Sequence, residues 1–554
     1  MTKTLNIALA QLNPTVGDVA NNIGRLRRAR QEAAAAGAEL VVCGELFVSG
    51  YPPEDLVLKR SFQDHMAEAI TAFASETGDG GPAMLVGVPW RIDDELFNAV
   101  LLLDGGQITE IRLKYDLPNY GVFDEKRVFR AGPLPDPITF QGVSLGILVC
   151  EDMWTPAVST HLKEKGAEIL IVMNGSPFEV DKTHMRRQYA TDRVSETSLP
   201  LVYVNLVGGQ DELVFDGSSF VLDAKGLTVV QMPGWTENVL LTKWQASDNA
   251  VWECDPVPGG PALTRLENIY QAMVMGLHDY VDKNHFPGVL IGLSGGIDSA
   301  LSAAVAVDAL GSDRVHCVMM PSPYTSQESL DDAAEAAQLL GVQLDTIAID
   351  PAMQAFDTML GEVFAGQEKD TTEENVQARS RGITLMAISN KLGYMVLSTG
   401  NKSEMSVGYA TLYGDMCGGY SVLKDIYKST VYKLSHWRNE NFCDGLKGPK
   451  GRVIPERIIT KAPSAELKPD QTDQDSLPPY DELDAILHAL IEEEMAVREI
   501  VAQGHDKGIV EKVWRMLDRA EYKRRQAPPG VKITPRAFGR DRRYPITNGF
   551  TGTI

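Results

Sequence analysis

Three apolar runs in the N-terminal half of the sequence end in side chains of different chemical type: Glu45 in VVCGELFVSGYPPEDL, Lys114 in IRLKYDLPNYGVFDE and Cys150 in LGILVCEDMW. A thiolate can attack an amide carbonyl, a carboxylate can take the thiol proton and return one to leaving ammonia, and an ammonium group can stabilise the oxyanion. Taken singly, each has a plainer reading. A cysteine at a strand end is usually a small buried hydrophobe, and a buried Glu–Lys pair is often structural. The C-terminal half holds G-L-S-G-G-I-D-S, that is Gly292, Leu293, Ser294, Gly295, Gly296, Ile297, Asp298 and Ser299. It stands between an apolar strand and an apolar-periodic helix, where backbone N–H groups and the helix dipole hold an anion. Gly295 and Gly296 keep side chains off the anion, Ser294 and Ser299 add hydroxyl donors, and Asp298 is placed to hold Mg²⁺ against negative oxygens. The string is neither a Walker A loop, since no G-K-[ST] follows, nor a dinucleotide G-x-G-x-x-G; a glycine-rich turn without a ligand is the alternative.

Such side chains need rigid elements behind them. In the first half, strands alternate with helices: LNIALAQLNP, the helical NNIGRLRRARQEAAAAG, ELVVCGELFVSGY, then AMLVGVPW, NAVLLLD, VSLGILVCEDMW, AEILIVMNGS and LPLVYVNLVGG. The Pro- and Gly-punctuated WQASDNAVWECDPVPGGPALT reads as a linker. This places one α/β domain at 1–245, a linker at 246–262 and a second domain at 263–554. The second domain alternates strictly. GVLIGL, RVHCVMM, LDTIAI and YMVLSTGN are strands separated by SALSAAVAVDAL, SLDDAAEAAQLL and NVQARSRGITLMAISNKLG, with RLENIYQAMVMGLHDYV as the helix in front. That order predicts a doubly wound parallel sheet with ligands at the carboxyl ends of its strands. TKAPSAELKPDQTDQDSLPPY, from Thr460 to Tyr480, has no period and is either a mobile loop over a site or a surface connection.

Composition narrows the partners. With 44% hydrophobic and 23% charged residues over 554 positions, the chain reads as folded domains without membrane spans. Its net charge of −23 disfavours nucleic acid and anionic lipid as partners. Six cysteines, none in a C-x-x-C pair, fit neither a disulfide scaffold nor a zinc site and suggest the cytoplasm, as does the absence of a secretory pattern in MTKTLNIALAQ.

The strings around these residues carry a resemblance. S-G-G-x-D-S resembles the PP-loop of the N-type ATP pyrophosphatases, and STGNKSEMSVGYATLYGDMCGGYSVLKDIYKSTVYKL is similar to the part of NAD synthetases that holds ATP, metal and the nicotinate end of the dinucleotide. The resemblance implies ATP contacts at Thr399 and Lys428, and Asp298 and Glu404 as Mg²⁺ ligands. It also implies deamido-NAD contacts at Glu404, at Asn375 and Arg379 of ENVQARSRG, and at Lys523 of EYKRRQAPPG. By the same likeness, the segment from Thr460 is a loop that closes over the activated intermediate. G-E-L-F-x-x-G-Y, K-Y-D-L-P-N-Y with F-D-E after it, and C-E-D-M-W resemble the Glu–Lys–Cys triad of the nitrilase superfamily, an αββα sandwich.

Glu125 then matches the glutamate that buttresses the triad, the backbone of Glu151 is a second oxyanion donor, and Trp154 is a candidate pocket wall. Tyr120, Ser176 and Lys182 match glutamine-binding positions, while Cys43 matches no nucleophile and is assigned to the core. Together these imply the family of glutamine-dependent NAD synthetases, whose substrates are glutamine, ATP and deamido-NAD. They also imply Mg²⁺ with no tightly bound organic cofactor, and a homo-oligomer of at least two subunits. GMP-synthetase-like amidotransferases use a Cys–His–Glu glutaminase, and asparagine-synthetase-like ones need an N-terminal cysteine where this sequence reads Met1-Thr2. A catalytically silent scaffold would usually have lost one of these side chains.

Overall fold

A computed structural model describes residues 3–246, 251–260, 262–469 and 471–550. Met1 and Thr2, residues 247–250 and 261 of the expected linker, and Asp470 of the Pro- and Asp-rich segment lie outside the described residues. The chain divides into Met1–Leu263 and Thr264–Ile554.

In the first unit a seven-stranded sheet runs Trp252–Cys254, Asn238–Ala246, Thr4–Gln11, Leu40–Val42, Ala83–Ile92, Glu95–Asp104, Gln107–Leu113. A six-stranded sheet runs Thr228–Gln231, Phe220–Leu222, Leu201–Asn205, Ile169–Asn174, Val143–Val149, Ile138–Phe140. Alternating side chains feed opposite faces of each strand. Leu5, Ile7 and Leu9 meet Leu145, Ile147 and Val149 of the other sheet in one central core. The outer face of the first sheet, with Ala8, Ala10 and Val41, is covered by Ile23 and Leu26 of the helix Val19–Ala35 and Ile70 and Phe73 of the helix Arg60–Glu76. Leu148, Leu170 and Val172 face Val158 and Leu162 of the helix Pro156–Glu164 and Ala190 and Val194 of the helix Lys182–Thr197. The result is an αββα sandwich, in which each fully buried Leu, Ile, Val or Phe contributes about 1.5–3 kcal/mol.

The expected strand over ELVVCGELFVSGY is shorter than its apolar pattern suggests, ending at Val42. Beyond it the backbone turns inward, with Glu45 N–H donating to Asn174 O at 3.3 Å and Val48 N–H to Gly87 O at 3.2 Å. A Cβ on Gly87 would lie 2.5 Å from Leu46 N, so this close approach requires glycine. Cys43 is fully buried in the core.

The second unit is a five-stranded sheet ordered Gln343–Thr346, Val315–Met319, Val289–Gly292, Met395–Ser398, Tyr420–Ser421, with every neighbouring pair parallel. Chain order therefore reverses between Val289–Gly292 and Met395–Ser398, and the crevice of a doubly wound sheet opens at that switch point. The helix Ile297–Leu310 that follows the first of these strands is buried at every residue except Asp298. LDTIAI is strand only to Thr346. The helices Arg265–Lys283, Gln327–Leu340, Asp350–Leu360, Thr371–Leu392, Lys428–Glu440, Tyr480–Ile491 and Lys507–Arg519 complete this unit's longer elements. Among the described residues, no helix is long and apolar enough to cross a membrane.

Candidate active sites

In the first unit Lys114 follows directly on the strand Gln107–Leu113, Cys150 on Val143–Val149, and Glu45 stands in the turn after Leu40–Val42. All three are buried, Glu45 and Lys114 completely. Lys114 Nζ donates to Glu45 Oε1 at 2.7 Å and to both oxygens of Glu125 at 2.9 Å. Asn98 Nδ2 spans the same two carboxylates at 2.8 and 3.3 Å, the Tyr51 hydroxyl donates to Glu125 at 3.1 Å, and Gly175 N–H donates to Glu45 Oε2 at 2.9 Å. A buried ion cluster persists only when its remaining polar atoms are met in this way.

One ammonium between two carboxylates sets the proton affinities. Burial works against the charge on Lys114, yet Glu125 and Glu45 outweigh it and hold the ammonium well above the ordinary lysine range. Burial lifts Glu125 to about 7 against the pull of Lys114, with the Glu45 charge adding to the rise. Burial and then the Glu45 carboxylate push the Cys150 thiol well above the usual cysteine range. The resting sulfur is therefore protonated, and a base beside it has to accept the proton as the sulfur attacks.

Cys150 has φ +45°, in the left-handed region that side chains with a Cβ rarely adopt, at the start of a tight turn Cys150–Met153. Asp152 fixes that turn: its carboxylate accepts from Val149 N–H at 3.0 Å and from Tyr115 and Asp116 N–H at 3.1 and 2.8 Å. One side chain thus ties the nucleophile's turn to the lysine's.

Around this centre, Tyr120 donates to the Glu151 carboxylate at 3.1 and 3.0 Å and stacks edge-on to Phe123, while Lys182 Nζ lies 5.3 Å from the Phe123 ring and 3.4 Å from Glu179. Tyr120, Phe123 and Lys182 form one wall. Ser176 is buried, its N–H on Asn205 Oδ1 at 3.0 Å and its hydroxyl accepting from Arg186 Nε at 3.0 Å. Trp154 packs on Tyr189 with ring centroids 4.6 Å apart. Sequence reasoning missed Tyr51, Asn98, Gly175, Arg186 and Asp152; Tyr51, inside G-E-L-F-x-x-G-Y, and Asp152, inside C-E-D-M-W, were within reach, and the others are brought in by tertiary folding.

In the second unit the Gly292–Ser299 loop leaves the sheet at the switch point. Gly296 N–H donates to Ser294 Oγ at 3.2 Å, Ser294 N–H to Ser299 Oγ at 3.2 Å, and Ser299 Oγ to Gly296 O at 2.9 Å. Gly295 has φ +79°, and a Cβ there would lie 2.3 Å from Ser329 O. Asp298 accepts from Asn401 Nδ2 at 2.9 Å and pairs with Lys428 Nζ, which also lies 3.1 Å from Glu404 Oε1. Burial pushes Glu404 up to about 8 against the pull of Lys428, with Asp298 adding to it. Burial opposes the charge on Lys428, and Asp298 and Glu404 outweigh it. Thr399 follows the strand Met395–Ser398 on the other side of the crevice.

The remaining expected contacts gather elsewhere. Asn375 Oδ1 accepts from Thr411 Oγ1 at 3.0 Å, the exposed Arg379 donates to Leu412 O at 3.2 Å, and Lys523 Nζ donates to Gly408 O and Ala410 O at 2.7 and 2.6 Å. All three hold the 408–412 segment, which borders a cleft lined by Ser398, Glu404, Ala410, Asp415 and Lys424. Asp415 and Lys424 went unread in the sequence. The segment from Thr460 rests against the phosphate-loop side: Glu466 Oε1 accepts from Ser326 and Ser329 hydroxyls at 2.8 and 2.7 Å, and Leu467 O accepts from Gln377 at 2.8 Å.

Residues 6–253 match the carbon-nitrogen hydrolase family and residues 269–527 match NAD synthase. The class defined by fold and sites is therefore an amide-cleaving domain joined to a synthase domain on one chain. The chain is 49% identical to the glutamine-dependent NAD(+) synthetase of Rhodobacter capsulatus and 45% identical to that of Acinetobacter baylyi, in each case over 99% of both chains. The solved glutamine-dependent NAD+ synthetase of Acinetobacter baumannii, in complex with adenosine diphosphate, is similar at 43% identity with a TM-score of 0.79 over the whole of both chains. The chain belongs to the glutamine-dependent NAD(+) synthetase family.

Proposed function

We propose that this chain amidates deamido-NAD to NAD, consuming ATP and glutamine and releasing AMP, pyrophosphate and glutamate. The observation that carries the reading is the pairing, on one chain, of the Glu45–Lys114–Glu125 cluster beside Cys150 with the Asp298–Lys428–Glu404 cluster beside the phosphate loop. In the glutaminase half, Cys150 Sγ attacks the amide carbonyl of glutamine while Glu45 takes the thiol proton. Lys114, with the Glu151 N–H, stabilises the oxyanion. The C–N bond then breaks, Glu45 returns the proton to the leaving nitrogen as ammonia, and water hydrolyses the thioester to glutamate. Tyr120, Ser176 and Lys182 hold the glutamine, and Glu125 keeps Lys114 charged and in place.

In the synthetase half, an oxygen of the nicotinate carboxylate attacks the α-phosphorus of ATP, pyrophosphate leaves, and ammonia displaces AMP from the acyl adenylate. The Gly292–Ser299 loop holds phosphate, with Lys428 and Thr399 as further ATP contacts and Asn375, Arg379, Glu404 and Lys523 on the dinucleotide side. The Acinetobacter baumannii relative was solved in complex with adenosine diphosphate, which supports a nucleotide as a ligand of this chain. Asp298 and Glu404 supply two hard oxygen donors that fit Mg²⁺, with phosphate oxygens and water completing its set. When bound there, the cation offsets phosphate charge.

A homo-oligomer is supported by the helix Asp350–Leu360, which buries no residue, and by exposed Met359, Val363 and Ile383 nearby in sequence. The net charge of −23 and six unpaired cysteines support a cytoplasmic enzyme of small molecules. The test is a product analysis with ATP, glutamine, deamido-NAD and Mg²⁺. NAD, AMP, pyrophosphate and glutamate should form in equal amounts; glutamate and AMP without NAD would sink the reading.

A further inference from the structure

Arg381 lies on the helix Thr371–Leu392, one turn before Leu385. Leu385 Cδ1 and Met320 Cε each lie 3.3 Å from where a Cβ on Gly292 would stand, so this face of the helix packs on the first residue of the phosphate loop. Arg381 Nε donates to Met320 O at 3.1 Å, just beyond the carboxyl end of the strand Val315–Met319. The half-buried guanidinium makes no other hydrogen bond and no ion pair among the described residues, leaving its terminal nitrogens unmatched. Its nearest carboxylates are engaged elsewhere. Glu466 is held by the hydroxyls of Ser326 and Ser329, and Asp415 accepts from Thr411 N–H at 2.6 Å.

A cation removed from water without a partner is costly, and burial depresses its proton affinity, against the opposing charges of Glu466 and Asp415. The loop it overhangs is short of positive charge as well, because Lys428 is already shared between Asp298 and Glu404. A guanidinium fork pairs bidentately with the oxygens of a phosphate group, and both ATP and deamido-NAD carry phosphate. Arg379, two residues earlier, is exposed and spends its Nε on Leu412 O, so the two arginines of ARSR serve different faces of the helix.

We propose that Arg381 binds a phosphate group of the nucleotide in the crevice above the Gly292–Ser299 loop. The inference rests on the proposed ATP-dependent function of the second unit. Phosphate reaches that crevice from two sources, ATP or the dinucleotide, and binding measurements separate them.

Titration calorimetry on the full chain with ATP, AMP, adenosine and deamido-NAD is the experiment, using wild type, Arg381→Gln and Arg381→Lys. Arg381→Gln should weaken AMP and ATP about tenfold or more and adenosine by less than twofold, with Arg381→Lys recovering part of the loss. If deamido-NAD weakens instead while ATP is unchanged, the phosphate is the dinucleotide's. Unchanged affinity for every ligand, or equal loss of adenosine and AMP, overturns the proposal. Should Arg381→Gln not fold, phenylglyoxal modification of wild-type Arg381, mapped by mass spectrometry, carries the test: AMP or deamido-NAD should slow it and adenosine should not. Equal modification with and without these ligands overturns the proposal too. Failure of wild type to bind ATP and deamido-NAD at all is the distinct result that removes the functional reading itself.

Discussion

At the scale of single residues, both sites rest on one ammonium shared by two carboxylates, with opposite uses. Lys114 is sealed from solvent, so in the proposed mechanism its charge is kept for an oxyanion that forms beside Cys150. Burial lifts Glu125 to about 7, so it takes up a proton as the pH falls through that value, and Lys114 then loses the charge of one of its two carboxylate partners. Glutamine hydrolysis should therefore fall as pH drops through about 7, because the buried cluster that positions Lys114 loses a charge. Glu125→Gln removes this titrating group, so the acid limb of kcat/KM near pH 7 should disappear, and a limb that stays in place would contradict this assignment. Lys428, by contrast, sits between Asp298 and Glu404 at the mouth of the crevice. Asp298→Asn should lower NAD formation about 10²–10³-fold with glutamine and with ammonium alike, since the lost charge acts before either nitrogen donor. Near-normal synthesis with ammonium would place adenylation elsewhere. Lys114, Cys150 and Asp298 were legible because each ends or begins a strand or helix whose pattern is local, and Glu45 because it lies in an apolar run that its buried turn prolongs. Asn98, Gly175, Asn401 and Asp415 were not, because only tertiary folding brings them in.

At the scale of elements, continuous apolar runs identify the strands because each buries two faces, and the strict strand–helix alternation predicts the parallel sheet. Two predicted strands overran their ends. ELVVCGELFVSGY stays apolar past Val42 because its turn is itself buried, and LDTIAI stays apolar past Thr346 because Ile349 packs into a core. Apolar composition reports burial, and hydrogen-bonding geometry ends the strand. The Asp350–Leu360 helix escaped notice because none of its residues is fully buried and only Met353 packs partly against the core. Lys507–Arg519 carries a readable pattern in Val510, Val513 and Leu517. The phosphate loop shows how closely elements are fitted. Gly295→Ala places a Cβ 2.3 Å from Ser329 O at a φ of +79°, and neither backbone can yield cheaply. We expect this variant to lose about 1–3 kcal/mol of stability or more and to bind ATP poorly, as read by thermal unfolding and titration. Wild-type ATP affinity in Gly295→Ala would show that the loop is not held against the Gln327–Leu340 helix as described.

At the scale of the whole molecule, the two units have separate cores and complementary chemistry: one releases ammonia from an amide, the other activates a carboxylate to receive it. The central claim is that these are two sites with one product in common. Cys150→Ala separates them, since without the sulfur no acyl-enzyme forms, while adenylation on the second unit uses nothing from that turn. The direct measurement is NAD formation by purified Cys150→Ala with ATP, Mg²⁺ and deamido-NAD, supplied in parallel with glutamine or with ammonium chloride. The account predicts no detectable NAD with glutamine and a rate within about twofold of wild type with ammonium, the residual difference reflecting only small packing changes. NAD made from glutamine by this variant, or loss of the ammonium-driven reaction in a folded protein, would contradict it.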